Sequence, residues 1–169
     1  FQSDETLGFS LENDLLAWMQ NRWCMVRPVM DLEAVVPMNR TAFLLDITSQ
    51  EEAQAGLDKI VKALQTNMKL PVVIEPLEHR GTTVQSVRLP IPLPIVPCWC
   101  FPNDDTLLIA SDTDILREML DIKAGVRTGI ARNSNYRILR QTLQQPANVF
   151  SFQDLEEEFY TYREAMRRV

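Results

Sequence analysis

Two stretches of the chain, sixty-four residues apart, follow the same order of local structural signals. The first has a short apolar segment, a polar turn, an apolar strand over Ala42–Ile47 and a helix that opens at Ser49. The second has an apolar segment over Cys98–Phe101, a polar turn, a strand over Thr106–Ala110 and a helix that opens near Asp112. A strand–turn–strand–helix unit that occurs twice predicts an α+β fold. We expect an antiparallel sheet or sheets covered by helices, with an internal duplication of a β-β-α unit.

The length of the chain fits one domain. A chain of 169 residues lies within the usual size of a single domain. Its 46% of hydrophobic residues and 24% of charged residues are typical of a globular protein. The repeated unit also allows two sub-lobes, with the first copy over 1–89 and the second over 90–169. We therefore predict a single domain over 1–169, with these sub-lobes as its possible division.

Capping signals mark two helices in the first half of the chain. Ser10 is a good N-cap for a helix whose apolar residues recur at intervals of three and four. This apolar face consists of Leu11, Leu15, Trp18 and Met19. Ser49 followed by Glu52 has the spacing of a capping box. The second helix is predicted to end near Asn67.

Short apolar runs predict strands between and after these helices. Two strands are expected over Trp23–Val26 and Leu32–Val36. A hairpin is expected from Val72–Ile74 and Thr83–Leu89, because a loop with His79-Arg80-Gly81 separates them. The next segment, Leu89–Pro97, carries four prolines, which cannot donate backbone hydrogen bonds. It is interpreted as an extended connector, and the alternative is a proline-rich ligand for an aromatic groove.

Composition argues against two classes of function. The formal net charge of −6 argues against nucleic acid as a partner, because phosphate binding requires clustered Lys and Arg. No apolar run approaches the roughly 20 residues that a membrane-spanning helix requires, so this segment is not expected to insert into a membrane. Because the chain opens at Phe1 and stops within a helical pattern, we expect a trimmed segment whose anchor or leader lies outside it.

Histidine and cysteine, which commonly serve as nucleophiles, bases and zinc ligands, are few in this chain. The chain has one histidine, His79, and three cysteines, Cys24, Cys98 and Cys100. Cys98 and Cys100 are two apart on a predicted strand and point the same way, so they are poorly placed to form a disulfide with each other. Free, partly buried thiols are expected. One alternative is a disulfide between Cys24 and Cys98 or Cys100 in an oxidising compartment, and the other is a thiol or zinc site that these four residues share. We assign no catalytic residue, no metal and no cofactor.

The basic residues of one segment are the main candidates for a binding site. Between Asp121 and Asp154 there is no acidic residue, whereas five basic residues occur there. They are Lys123, Arg127, Arg132, Arg137 and Arg140. Arginines beside a glycine-containing loop can bind a carboxylate, a phosphate or an acidic surface. The alternative is that they form ion pairs with the acidic remainder of the same domain.

Two segments resemble a bacterial family of unknown function. Phe9–Met19 is similar to the pattern φxLExDLLPWLG, in which φ is apolar, of DUF3352-like envelope proteins. Ala17 and Gln20 stand where that family has Pro and Gly. Leu107–Ser111 and Gly125–Tyr136 resemble its second half. The resemblance implies an envelope-associated, often membrane-tethered protein, and it carries no catalytic residue over to this chain.

These observations favour a protein that binds or supports other molecules. We expect a non-enzymatic binding or structural module, the soluble part of a bacterial envelope-associated protein in the periplasm or cell envelope. A cytoplasmic location is the alternative. The alternative function is a small enzyme or an anion-binding domain that uses the basic segment 122–153. The partner is expected to be a protein or a small molecule.

Overall fold

The computed structural model describes residues 8–28, 40–67, 69–89, 95–142, 151–153, 155, 159–160, 163 and 167. The strands in these residues are β1 (Met19–Val26), β2 (Ala42–Ile47), β3 (Val73–His79), β4 (Thr82–Arg88), β5 (Cys98–Asn103) and β6 (Thr106–Ala110). The α-helices are α1 (Gln50–Thr66), α2 (Thr113–Lys123) and α3 (Ser134–Thr142). Two shorter turns are helical, a π-helical turn over Leu11–Leu16 and a 3₁₀ turn over Ile130–Arg132.

The chain divides into two compact units. Phe1–Arg27 and Arg40–Leu120 form the first, which we call the sheet unit. Pro28–Asn39 and Asp121–Val169 form the second unit. Within the described part of the second unit, the ring of Tyr136 on α3 meets the ring of Phe152 edge-on at 5.4 Å.

The sheet unit is built on one antiparallel sheet, which confirms the α+β prediction. The order of its six strands is β1-β2-β6-β5-β4-β3. β4 and β5 come from opposite sides of residue 89 and pair directly with each other. The proposed sub-lobes 1–89 and 90–169 therefore contribute strands to the same sheet, and the division into these sub-lobes stays a prediction.

Helices pack on both faces of the central part of the sheet. The first face packs against α2, and its buried residues include Ala42, Val84, Cys98, Cys100, Leu108 and Ala110. The second face packs against α1 and Trp18, and its buried residues include Leu45, Ile47, Trp99 and Leu107. Because successive side chains point to opposite faces, β5 is buried on both sides at Cys98, Trp99 and Cys100.

The predicted internal duplication is not confirmed. α1 follows β2 onto the second face, whereas α2 follows β6 onto the first face. The N-cap Ser49 comes seven residues after the start of β2, and the cap Asp112 comes six residues after the start of β6. Successive residues of a strand point to opposite faces of the sheet. A difference of one residue between the strand start and the helix cap is therefore enough to place the next helix on the other face. The segment Leu32–Val36, expected to supply the outer strand of the first copy, lies outside the described residues.

The prediction of the first helix is wrong at its C-terminal end. The Ser10 hydroxyl does accept the N–H of Asn13 at 3.3 Å, but the helical turn is π-helical and ends at Leu16. Met19 already belongs to β1. The Trp18 carbonyl oxygen accepts the N–H of Thr48 at 2.9 Å, so pairing with the next strand ends the helix before its apolar pattern does.

Local capping and turn signals predicted α1 and the turn of the hairpin, but β3 continues to His79, beyond the predicted strand Val72–Ile74. The Ser49 hydroxyl accepts the Glu52 N–H at 3.1 Å, and α1 is capped by Asn67 as expected. In a capping box the Glu52 carboxylate would accept the backbone N–H of the N-cap Ser49. Here it accepts a hydrogen bond from the hydroxyl of Thr48, the residue before the cap, at 2.7 Å. Arg80 and Gly81 have φ values of +52° and +73°, which a type I′ hairpin turn between β3 and β4 requires.

The described end of the proline-rich connector, residues 95–97, forms backbone hydrogen bonds to two other segments. Residues 90–94 lie outside the described part. The Val96 N–H donates to the Ser111 carbonyl oxygen at 3.1 Å, and the Pro97 carbonyl oxygen accepts the Val87 N–H at 2.7 Å. These bonds tie the segment to the chain on both sides, as expected of a connector that enters β5.

Candidate functional site

The predicted anion-binding residues all lie in the second unit and are exposed. Lys123 ends α2, Arg127 follows in a loop and Arg132 ends the 3₁₀ turn, whereas Arg137 and Arg140 lie on α3. None of the five lines either of the two cavities described below. An anion site formed by these residues stays a prediction.

The N-terminus of α3 is already capped by the chain. The side-chain oxygen of Asn133 accepts the N–H of Tyr136 at 3.0 Å. One of the helix's first N–H groups, which an anion would otherwise use, is therefore satisfied by a side chain.

The cysteines and the histidine are placed in separate parts of the sheet unit. Cys98 and Cys100 point to the same face of β5, as predicted, and both are buried, whereas Cys24 is exposed on β1. β6 and β2 separate Cys100 from Cys24, which at about 4.8 Å per strand spacing amounts to roughly 14 Å. His79 lies at the end of β3. In the part of the chain that the structure describes, no group of three or more His, Cys, Asp or Glu could hold a metal ion.

The Cys98 thiol is buried in the apolar cluster of the first face. Burial raises the pKa of Cys98 to about 12, with a smaller contribution from the negative charge of Asp112. Its Sγ atom lies 3.8 Å from the carbonyl oxygen of Ala110, within the apolar cluster of the first face. Because the thiolate is the nucleophile, this thiol lacks the lowered pKa of a catalytic cysteine.

Two cavities indent the sheet unit. The first has a volume of about 290 Å³ and lies where the π-helical turn meets α1; its lining includes Asp14, Trp18, Glu52, Gly56 and Lys59. The second has a volume of about 490 Å³ and lies among β3, β4 and α2; its lining includes Glu75, Ser86, Arg88, Val96 and Arg117.

The charged side chains of these cavities are engaged within the protein. In the first cavity Lys59 contacts Asp14 at 2.5 Å, and this bond holds the pKa of Asp14 below its usual value. In the second, Arg88 contacts Glu75 at 2.7 Å. The cavities therefore give weaker support for ligand binding than the sheet edge described next.

The edge of the sheet at β1, with which only β2 pairs among the described strands, exposes three large apolar side chains on the second face. The exposed fractions are 62% for Trp23, 41% for Met25 and 37% for Phe43. Met25 is aligned with Phe43 across β1 and β2, so these side chains are neighbours. The other two tryptophans, Trp18 and Trp99, are 3% and 5% exposed. A contiguous exposed apolar group that includes a tryptophan is typical of a protein-binding surface.

The hydrogen bonds of β2 show which way its backbone groups point. The Thr41 carbonyl oxygen accepts the N–H of Ser111, and the N–H of Ile47 donates to the carbonyl oxygen of Asp105, both at 2.9 Å. These bonds lie on the β6 side, so the odd-numbered residues of β2 face β6. Backbone groups of an antiparallel strand alternate in direction, so the even-numbered residues face β1.

The same alternation decides which groups of β1 face outward. Cys24 and Val26 are aligned with even-numbered residues of β2, so their N–H and C=O groups face β2. Trp23 and Met25 therefore direct their N–H and C=O groups away from the sheet, where no other strand of the described residues pairs with β1. A register shift between Met19 and Trp23 confines the regular part of this edge to Trp23–Val26. We call the outward groups and apolar side chains of Trp23 and Met25, with Phe43, the β1 edge.

The opposite edge of the sheet, at β3, is built differently. Pro76 lies within β3 and cannot donate a backbone hydrogen bond, and Glu75 and Glu78 add carboxylates along the strand. Proline and charge are the usual protection of an edge strand against pairing with other chains. The β1 edge has no such residue between Trp23 and Val26. Trp23–Val26 was predicted as a strand, but its place at an edge was not; its unbroken apolar run is the sequence signal that distinguishes it from β3.

Comparison of the chain with protein-family models, curated proteins and solved structures finds no match. Among the described residues, no helix has both the length and the apolar character that crossing a membrane requires.

Proposed function

We propose that this protein is a non-enzymatic binding module that takes up an extended protein segment along the β1 edge. The observation that carries this proposal is the coincidence of outward backbone groups and exposed apolar side chains at Trp23 and Met25. An incoming strand would form hydrogen bonds with the outward backbone groups and would cover the exposed apolar side chains. This is the arrangement that recognition by strand addition uses.

The two parts of the β1 edge have different roles in this mode of binding. Backbone hydrogen bonds contribute about 0.5 to 1.5 kcal/mol each and depend little on the sequence of the partner. The indole of Trp23, with Met25 and Phe43 beside it, offers the apolar surface that selects side chains of the partner. Tryptophans in such positions often contribute 2 kcal/mol or more to binding.

The cellular setting is a separate part of the proposal. The chain is proposed to be the soluble part of a bacterial envelope-associated protein. The resemblance of the Phe9–Met19 segment to DUF3352-like envelope proteins supports this setting. A non-enzymatic binding module is compatible with that setting.

Selection of displayed random peptides on sparsely immobilised protein tests the binding function. The affinity of the selected peptides is then measured for the protein and for its Trp23→Ala and Met25→Pro variants. Trp23→Ala is expected to weaken binding roughly 30-fold, the equivalent of about 2 kcal/mol. Met25→Pro removes an outward N–H without touching the bonds to β2, and it is expected to weaken binding roughly tenfold.

Val73→Ala is the matched control. Val73 is also an apolar residue of an edge strand, is 53% exposed and lies on β3. Its truncation is expected to change the affinity less than twofold. Peptides that bind both β1 variants as tightly as the unmodified protein would contradict the proposed function.

A further inference from the structure

The β1 edge can be tested geometrically for pairing with an identical strand of a second copy. An antiparallel pair of identical strands is related by a two-fold rotation axis. A residue that precedes the axis by a given number of positions therefore lies opposite the residue that follows the axis by the same number in the other copy. Outward-facing residues must pair with outward-facing residues, which here are Trp23 and Met25. Only axes that pass through Trp23, Cys24 or Met25 keep this regular segment in the pairing.

The axis through Cys24 gives the best match of side chains. It places Trp23 opposite Met25 of the second copy and Met25 opposite Trp23 of the second copy, on the same face of the extended sheet. Both pairs join an aromatic ring to a thioether, a favourable contact. An axis through Trp23 would place Arg22 opposite Cys24, and an axis through Met25 would place Trp23 opposite Arg27.

Charge does not oppose the Cys24-centred register. Arg22 lies opposite Val26 of the second copy, and its guanidinium is already paired with Asp46 at 2.6 Å. Arg27 lies opposite Asn21 of the second copy. No two like charges face each other, which would be unfavourable across paired strands.

We propose that the partner of the β1 edge is a second copy of this chain, paired antiparallel about a two-fold axis at Cys24. The inference rests on the proposed function, because it names the occupant of the same edge. Trp23 of each copy pairs with Met25 of the other copy, which gives two residue pairs. Each pair forms two backbone hydrogen bonds. The two sheets become one continuous sheet, and the exposed apolar groups of the two copies become neighbours on its second face.

The short length of the regular edge predicts a weak, reversible dimer. The pairing involves Trp23–Val26 and the adjoining Phe43, which is small in comparison with the interfaces of stable dimers. We expect monomers in dilute solution and dimers as the concentration rises. Acrylamide quenching can follow this change, since Trp23 is the exposed tryptophan and Trp18 and Trp99 are buried.

The position of Cys24 makes the register directly measurable. At the axis the two Cys24 residues form a non-hydrogen-bonded pair with Cα atoms about 4.5 Å apart, which is within reach of a disulfide. Diamide oxidises two thiols to one disulfide, and its N=N bond takes up the two electrons and two protons that the thiols lose. Cys98 and Cys100 are buried and do not compete.

The decisive experiment combines sedimentation of the whole chain with diamide crosslinking. We expect the mass to double with concentration and Cys24 to form a disulfide-linked dimer. The Cys24→Ser variant should still dimerise without the crosslink. Adding Val26→Cys to Cys24→Ser should not restore the crosslink, because in this register the two new thiols lie about 13 Å apart along the strands.

Two variants that block the edge complete the test. Trp23→Glu and Met25→Pro should both abolish dimer formation, and the circular dichroism of each shows whether it is folded. A dimer that survives in either folded variant, or a crosslink as efficient at Val26→Cys as at Cys24, would overturn the inference. A chain that stays monomeric but binds selected peptides through Trp23 would refute the second copy and leave the proposed function standing. If both assays fail, both proposals are wrong.

Discussion

Arg40 holds the carboxylate of Asp112 through two hydrogen bonds. Nε of Arg40 donates to Oδ2 of Asp112 at 3.1 Å, and a terminal nitrogen of Arg40 donates to Oδ1 at 2.9 Å. The same carboxylate accepts the N–H of Ile115 at 3.0 Å, so it also caps α2. The Asp112 side chain thus joins Arg40, two residues before β2, to the helix that covers the first face of the sheet.

Replacing Asp112 by Ala is expected to destabilise the protein by about 2 to 3 kcal/mol. Loss of a helix cap costs about 1 kcal/mol, and a half-buried hydrogen-bonded pair contributes a further amount of similar size. Urea unfolding measures the change in the free energy of unfolding. Asp114→Ala is the matched control: Asp114 is exposed and contacts Arg117 only at 3.5 Å, so less than about 0.5 kcal/mol is expected. Equal losses in both variants would contradict the assigned role of Asp112.

Asp112 also predicts how stability depends on pH. Burial alone raises the pKa of Asp112, but the Arg40 guanidinium, the Ile115 N–H and the Ser111 hydroxyl together outweigh it, so the pKa lies below the usual value. A carboxyl whose pKa is lower in the folded state binds protons more readily when unfolded. Its stabilisation is therefore complete above the unfolded pKa of about 3.9 and is lost as the pH falls through the lower folded pKa.

The Asp112→Asn variant tests this pH dependence. Asparagine can still cap α2 but does not titrate. The free energy of unfolding, measured in urea between about pH 6 and pH 2.5, is expected to fall less steeply for Asp112→Asn than for the unmodified protein. Parallel curves for the two proteins would show that the pKa of Asp112 is the same in the folded and unfolded states.

Gly56→Ala is expected to destabilise the protein although alanine is the better helix former. A β-carbon at Gly56 would overlap the carbonyl oxygen of Asp14 and stand 2.5 Å from Nε1 of Trp18. Overlap in a packed region costs about 1 to 3 kcal/mol, more than the gain of up to about 1 kcal/mol in helix propensity. Thermal unfolding checks this, with the exposed neighbour Ala55 changed to Ser as the control. A higher melting temperature for Gly56→Ala would refute the close packing of the π-helical turn on α1.

One of the three thiols is expected to react in the native protein. Cys24 is exposed, whereas Cys98 and Cys100 are buried and the pKa of Cys98 is raised to about 12. Titration with Ellman's reagent at pH 8 should modify one thiol in native buffer and three in guanidinium chloride. Cys24→Ser should reduce the native count to none. Rapid modification of two or three thiols without denaturant would contradict the burial of β5.

Amide hydrogen exchange should alternate along β1 in dilute solution. The N–H groups of Cys24 and Val26 face β2 and should exchange slowly, whereas those of Trp23 and Met25 face outward and should exchange rapidly. At high protein concentration the Trp23 and Met25 amides should become protected if a second copy pairs with them. The opposite alternation would show that the β1 edge presents different residues.

The elements that the sequence predicted well are those governed by neighbouring residues. The start of α1 at Ser49, its end near Asn67 and the turn at Arg80–Gly81 depend on a cap or a backbone conformation within a few residues. The end of the first helix was not predictable in this way. The apolar pattern continues through Met19, but pairing of Trp18 with Thr48, thirty residues away, ends the helix earlier.

By itself, the sequence determined the α+β class, the caps of α1 and the turn between β3 and β4, because periodicity, capping and turn chemistry act over short distances. The tertiary structure alone decided the strand order and the face that each helix covers. It also decided that Trp23–Val26 lies at an edge of the sheet formed by the described strands, whereas Cys98–Cys100 is buried on both sides. The two segments are equally apolar, and only strand pairing between distant residues distinguishes a central strand from an edge. The candidate site, which depends on that distinction, was therefore visible only in the folded protein.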